Sequence, residues 1–98
     1  MTVKAYNGTE PYIFVSYAHK NNDRVLPLIK AMQDCGYRVW FDEGIEAGTE
    51  WPAYIARHIL DCDCMLIFMS PEYTDSPNCK RELTYAQNKK KGCLVIYL

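Results

Sequence analysis

Among the side chains able to do chemistry, the carboxylate of Glu82 stands apart by its setting. In "SPEYTDSPNCKRELTYAQ" it falls near the start of what reads as a helix, just after a loop in which a strongly apolar strand ends. Taken alone it reads as a solvated acid near the positive end of the helix dipole. Lys80 and Arg81, immediately before it, sit where cations are disfavoured, and an anionic ligand would offset them. His58, Cys62 and Cys64 supply three soft ligands within seven residues. Their C-x-C spacing fits none of the usual structural zinc pairs and no second pair follows, so these thiols read as buried donors at a helix end and a strand start. Serine, histidine and acid occur without a G-x-S-x-G elbow, and only His19 and His58 could serve as base, which argues against a hydrolase triad. Neither G-x-G-x-x-G nor G-x-x-x-x-G-K-[ST] is present, so no glycine cradle for a nucleotide phosphate exists. A phospho-acceptor receiver needs acidic residues at the end of its first strand and an Asp ending its third; here those ends read "VSYAH" and "FMSPE".

The elements that must position Glu82 alternate along the chain. "YIFVSYA" (12–18) is β-rich and nearly all apolar, as suits a strand covered on both faces. Val25, Ile29, Met32 and Cys35 then recur at helical spacing, with Asn22 or Asp23 as N-cap, Pro27 in the first turn and Gly36 as a stop. "YRVWF" (37–41) is the second strand, followed by the glycine-punctuated loop "DEGIEAG" and a helix from a Thr49 cap to about Leu60, with Ile55 and Ile59 inward. "CMLIFM" (64–69) is the third strand. Ser76 and Pro77 open a third helix, ending near Lys91 and Gly92, and "CLVIYL" (93–98) is the fourth strand. Such alternation implies right-handed βαβ units: a parallel three-layer α/β sheet with helices on both faces. Its ligand crevice lies where strand order reverses. For an order 2-1-3-4, that point is flanked by "HKNND" and "SPEYTDSPN", and the latter leads to Glu82.

Ninety-eight residues, 49% apolar and 23% charged, make one small globular domain. The first ten residues read as a flexible lead-in and residues 11–98 as the domain. The chain stops inside an apolar strand with no closing helix, which reads as a domain cut short and leaves an exposed sheet edge. A formal net charge of −1 gives no reason to expect nucleic acid or an anionic membrane as partner. Five cysteines, an odd number, favour a reducing compartment. With neither a signal-like start nor an apolar run long enough to span a bilayer, the expected location is cytoplasmic.

In order and spacing, "YIFVSYAHKN", "YRVWFDEGIEAGTEW" and "CMLIFMSPEYTDSPNCKREL" resemble the three boxes of Toll/interleukin-1 receptor (TIR) domains, particularly bacterial ones. The resemblance covers residues 11–98. It implies a flavodoxin-like sheet, here truncated to about four strands in the order 2-1-3-4 with three helices, a fifth strand and further helix following Leu98. It implies two activities: self-association with other TIR domains, as a homo-oligomer on activation, and in many members hydrolysis of NAD+ at the nicotinamide–ribose bond. NAD+ is then a substrate, and no cofactor or metal is expected. The family's catalytic glutamate lies early in the third helix in a C-x-x-E setting, which here is Cys79 and Glu82.

One carboxylate is enough for that reaction. Ordinary glycosidases need two because the leaving oxygen must be protonated. Nicotinamide leaves as a neutral molecule from a cationic pyridinium, so a single carboxylate can stabilise the oxocarbenium-like ribosyl centre.

The resemblance and the crevice together suggest the remaining site. His19, Lys20 and Arg24 would meet a diphosphate with side chains rather than backbone. The acidic loop carrying Asp42, Glu43 and Glu46 would border the substrate entrance, and Tyr73, Asn78 and Cys79 would line the site. Active family members often carry an aromatic residue, commonly Trp, four positions before the glutamate; Asn78 stands there, with Tyr73 as a replacement ring. Gly44, Ile45, Glu46 and Gly48 form the expected assembly loop, with Ile45 as an apolar contact. The rival reading is a non-enzymatic TIR interaction module in signalling, and a third is a sensor that binds a nucleotide without cleaving it.

Overall fold

The computed structural model describes residues 3–43 and 53–98. The expected Thr49 cap and the assembly-loop residues Gly44, Ile45, Glu46 and Gly48 lie outside the described residues. Strand β1 (Ile13–Ser16) leads through a 3-10 turn (His19–Asn21) into helix α1 (Asn22–Asp34). There follow β2 (Val39–Trp40), α2 (Ala53–Asp61), β3 (Cys64–Met69), α3 (Pro71–Thr74), α4 (Pro77–Asn88) and β4 (Cys93–Tyr97). All strand pairs are parallel, in the order β2-β1-β3-β4. This is the expected order, and it puts the reversal between β1 and β3.

Strand parity divides the core into two layers. Phe14, Met65 and Ile67 face one side, where they pack with Ile55 and Ile59 of α2 and Cys79 and Ala86 of α4. Val15, Leu66 and Phe68 face the other, against Val25 and Ile29 of α1. Two fully buried aliphatic side chains attach α1 and two attach α2, worth on the order of 3–6 kcal/mol per helix before ordering costs. β4 forms an edge of the sheet beyond β3, and Leu94, Val95, Ile96 and Tyr97 are exposed on it.

Several local expectations need correction. α1 has no side-chain cap from Asn22 or Asp23, because the 3-10 turn already delivers the chain in helical geometry and the N-cap position falls on Asn21. Pro27 lies inside α1 rather than in its first turn. Both it and Asp23, four residues back, are exposed, so the carbonyl that Pro27 cannot bond is open to water. Gly36 ends the helix as expected, at φ 98°, with Gly36 N–H donating to the Gln33 carbonyl and Tyr37 N–H to that of Met32. α4 ends at Asn88 by the same device, but Lys90, not Gly92, takes the left-handed position, at φ 58°. Among the described residues there are four α-helices rather than three: Ser70 caps α3 by accepting from Tyr73 N–H at 3.0 Å, within a stretch read as loop.

The lead-in is anchored over residues 3–6. Tyr6 N–H donates to the Val39 carbonyl at 2.8 Å, Ala5 N–H to Glu43 Oε1 at 2.8 Å, and Val3 and Ala5 pack on the α1-side core.

Candidate active site

Ser76 caps α4 through Cys79 N–H, with Pro77 in the first turn, so the helix begins where its sequence signals place it. Cys79, Glu82 and Ala86, spaced by three and four, then share the face turned to the sheet. Glu82 is therefore not a solvated acid. It is 6% exposed, and Oε1 accepts a hydrogen bond from Ser16 Oγ at 2.8 Å. Ser16 ends β1 on the same side as Phe14, and pairs across the strand reversal with Ile67 of β3.

Ser16 Oγ is also 2.8 Å from Tyr73 Oη, whose hydroxyl is within reach of the Cys79 carbonyl at 3.3 Å. The carboxylate is thus held by strand and helix ends meeting at the crevice, not by a loop alone. Among the described residues no Lys, Arg or His forms an ion pair with it. Burial pushes its pKa up to about 8, with the Ser16 hydrogen bond opposing the rise and the Asp42 charge adding to it. Burial likewise pushes the Cys79 thiol up to about 12, and Tyr17 to about 12 with Asp42, Glu43 and Glu82 adding to the rise.

The other expected site residues are distributed unevenly. His19 Nε2 lies 3.0 Å from the Asp42 carbonyl, joining the first-strand turn to the end of β2. Asp42 is buried and its Oδ1 accepts from Tyr54 Oη at 3.2 Å. Glu43 is exposed, and its carboxylate is taken by Ala5 N–H rather than turned to the crevice. Lys20 and Arg24 are exposed on the turn and α1, and Asn78 is half-buried in the first turn of α4. Tyr73 is 1% exposed, so its ring is core and only its hydroxyl reaches the site; it offers no open face for stacking. Cys79 likewise packs in the core.

Sequence reasoning passed over Ser16, Asn21, Ser70 and Glu72. Asn21 Oδ1 accepts from Ser70 Oγ at 2.7 Å while its Nδ2 donates to Glu72 Oε1 at 2.8 Å, bridging the two loops that flank the strand reversal. The signal for Ser16 was present: a lone hydroxyl in an apolar strand, two residues from Phe14, must face the same helix layer. Away from this crevice, a cleft of about 500 Å³ lies at the amino ends of β1 and β3, lined by Tyr6, Glu10, Tyr12, His58, Asp61 and Asp63 among others. Among the described residues no group of three or more His, Cys, Asp or Glu is placed to hold a metal, and no helix is long and apolar enough to cross a membrane.

An open parallel sheet in this order, with a buried carboxylate at its strand reversal, defines a flavodoxin-like α/β fold. The family model described as "TIR domain" matches residues 13–98, and the chain belongs to the TIR domain family. Among solved structures it is similar to the TIR domains of the activated Roq1 resistosome directly recognizing the pathogen effector XopQ. That match has TM-score 0.73 and 16% identity, covering 90% of this chain and 57% of that one. It is also similar to the TIR domain of the Toll-related receptor TRR-2 from the lower metazoan Hydra magnipapillata, with TM-score 0.72 and 15% identity, covering 85% of this chain and 66% of that one. At such identities the likeness is one of fold, and the chain spans less than two thirds of either structure. No curated protein matches the sequence.

Proposed function

We propose that this domain hydrolyses NAD+ at the nicotinamide–ribose bond in the cytoplasm, as a TIR module of the bacterial type that self-associates. The observation that carries the reading is the burial of Glu82, with no cation paired to it among the described residues, beside Ser16 at the carboxyl edge of β1. A buried, uncompensated carboxyl is expensive as structure and is the kind of group found where charge must be supplied to a reacting centre. In the reaction the bond from ribose C1′ to the pyridinium nitrogen breaks and its electron pair leaves with neutral nicotinamide. Water adds to C1′ and releases a proton, giving ADP-ribose. Glu82, ionised, stabilises the positive ribosyl centre between these events. The approach of the substrate's cationic pyridinium ring also favours that ionised form. Self-association is supported by the similarity to TIR domains that occur in a resistosome.

Nicotinamide release, followed by chromatography at several protein concentrations, tests this. Turnover rising more steeply than protein concentration, and lost in Glu82→Gln with its melting transition kept, is the expected result. Turnover retained in Glu82→Gln refutes the assignment.

The second reading, a TIR interaction module without catalysis, is favoured by the enclosure of Glu82 and by Asn78 at the position of the usual aromatic residue. It predicts concentration-dependent association with no nicotinamide released even under crowding.

A further inference from the structure

We propose that Ser16 and Tyr73 form a reversible hydrogen-bond chain that sets the protonation state and orientation of Glu82, with Ser16 as the positioning residue for the carboxylate. The consequence for turnover rests on the NAD+ reading above; the chain itself does not. Its links are Glu82 Oε1 to Ser16 Oγ at 2.8 Å, Ser16 Oγ to Tyr73 Oη at 2.8 Å, and Tyr73 Oη to the Cys79 carbonyl at 3.3 Å, all buried.

Each hydroxyl owns one proton, so the direction of the chain is fixed by its end. Ionised Glu82 can only accept. Ser16 then donates to it, Tyr73 donates to Ser16, and the Cys79 carbonyl loses its donor. Protonated Glu82 can donate to Ser16, Ser16 to Tyr73, and Tyr73 to the Cys79 carbonyl. The neutral state makes three bonds and the ionised state two, one of them charge-assisted and about twice as strong as a neutral one. The bonds alone therefore favour neither state, burial tips the balance toward the neutral acid, and a single proton reverses every link.

The groups facing Glu82 do not compete for that proton near neutrality. Burial pushes up the pKa of Cys79, one turn earlier on α4, and of Tyr73, and it pushes Tyr17 up to about 12. Asp42, at the end of β2, contributes like charge, which favours the neutral direction.

The test is a carboxyl-carbon NMR titration of protein labelled with carbon-13 in its glutamates, from pH 5 to 10, with Glu82→Gln identifying the Glu82 resonance. By bond count Ser16→Ala costs both states alike, since Tyr73 then donates to the Cys79 carbonyl in either, but it leaves the buried carboxylate without its Ser16 donor, which penalises the ionised form and is expected to move the Glu82 midpoint upward by about one pH unit. Tyr73→Phe removes two of the three neutral-state bonds but one of the two ionised-state bonds, and is expected to move it downward. Ser16→Thr keeps the hydroxyl and should hold the midpoint near that of the unsubstituted protein. Shifts of the same sign in Ser16→Ala and Tyr73→Phe, or no shift, overturn the chain; Tyr73→Phe, nearly isosteric, carries the test if Ser16→Ala does not fold. The titration needs no NAD+. Opposed shifts without nicotinamide release sink only the hydrolase reading, and release with an unmoved titration sinks only the chain.

Discussion

Glu82 Oε1 and Ser16 Oγ meet at 2.8 Å although 66 residues separate them in sequence. The contact exists because the parallel order brings the carboxyl end of β1 beneath α4, and because helical spacing turns Glu82 to the same face as Cys79 and Ala86. It leaves an acid in a place too dry to ionise readily.

That dryness predicts a pH profile. If ionised Glu82 is the catalytic form, kcat/KM for NAD+ reports the pKa of Glu82 in the free protein, raised to about 8 by burial. Nicotinamide release should climb about tenfold per pH unit below that point and level off above it. Rates measured from pH 5.5 to 9.5 check this; a plateau already reached at pH 6 would show an ordinary, solvated carboxylate.

The same burial predicts how stability responds to pH. Glu82 is raised from 4.5 to about 8, so the folded state prefers the protonated acid. The stability this preference supplies is fully present below about pH 4.5 and is lost as pH rises through about 8. At 1.36 kcal/mol per pH unit the loss is on the order of 3–5 kcal/mol. Glu82→Gln has no proton to lose, and its amide can donate to Ser16 as the neutral acid does. Its melting temperature should match the unsubstituted protein near pH 4.5 and exceed it by several degrees at pH 8.5; thermal melts at the two values decide.

Much of this was legible in the sequence, for reasons tied to particular residues. The unbroken apolar run Cys64–Met69 fixed a doubly covered strand at its observed bounds, and Ser76-Pro77 fixed the start of α4. Local chemistry decides such features. Tyr73 was legible as a ring but not as a core residue, because its enclosure depends on Ile67, Cys79 and α4 packing together. The helix was expected to end near Lys91 and Gly92, but it ends at Asn88 with Lys90 at φ 58°, and Lys91, beyond it, donates from Nζ to the Cys62 carbonyl at 2.8 Å, a contact that local sequence does not reveal. The direction of Glu82 is of the same kind: spacing gave a face, and only the strand order gave what that face touches.

Thiol reactivity provides a test of the core that does not involve the crevice chemistry. Thiolates are the reactive species, and burial pushes Cys62 to about 11 and Cys79 to about 12. Cys35 and Cys93 are exposed, and Cys64 is intermediate. Burial also raises Cys93 and Cys64, though less. With an aromatic disulfide reagent at pH 8, Cys35 should react first, then Cys93, then Cys64. Cys62 and Cys79 should react only as fast as the protein unfolds. Mass mapping of the labelled sites at successive times reads the order, and early labelling of Cys79 would contradict the packing of α4.

The bridge across the strand reversal makes the last prediction. Asn21 is 6% exposed, and it both accepts from Ser70 and donates to Glu72. Asn21→Ala leaves a buried hydroxyl and a part-buried carboxylate without their partner, a loss of about 1–3 kcal/mol. Asn21→Asp keeps an acceptor for Ser70 but faces Glu72 with a second carboxylate where a donor stood at 2.8 Å. Two ionised carboxylates so close repel, and protonating either relieves them. Asn21→Asp should therefore be more destabilising than Asn21→Ala at pH 7 and less so at pH 4. Urea unfolding of both variants at the two pH values reads the crossover, and parallel curves would mean that Glu72 does not face residue 21 in solution.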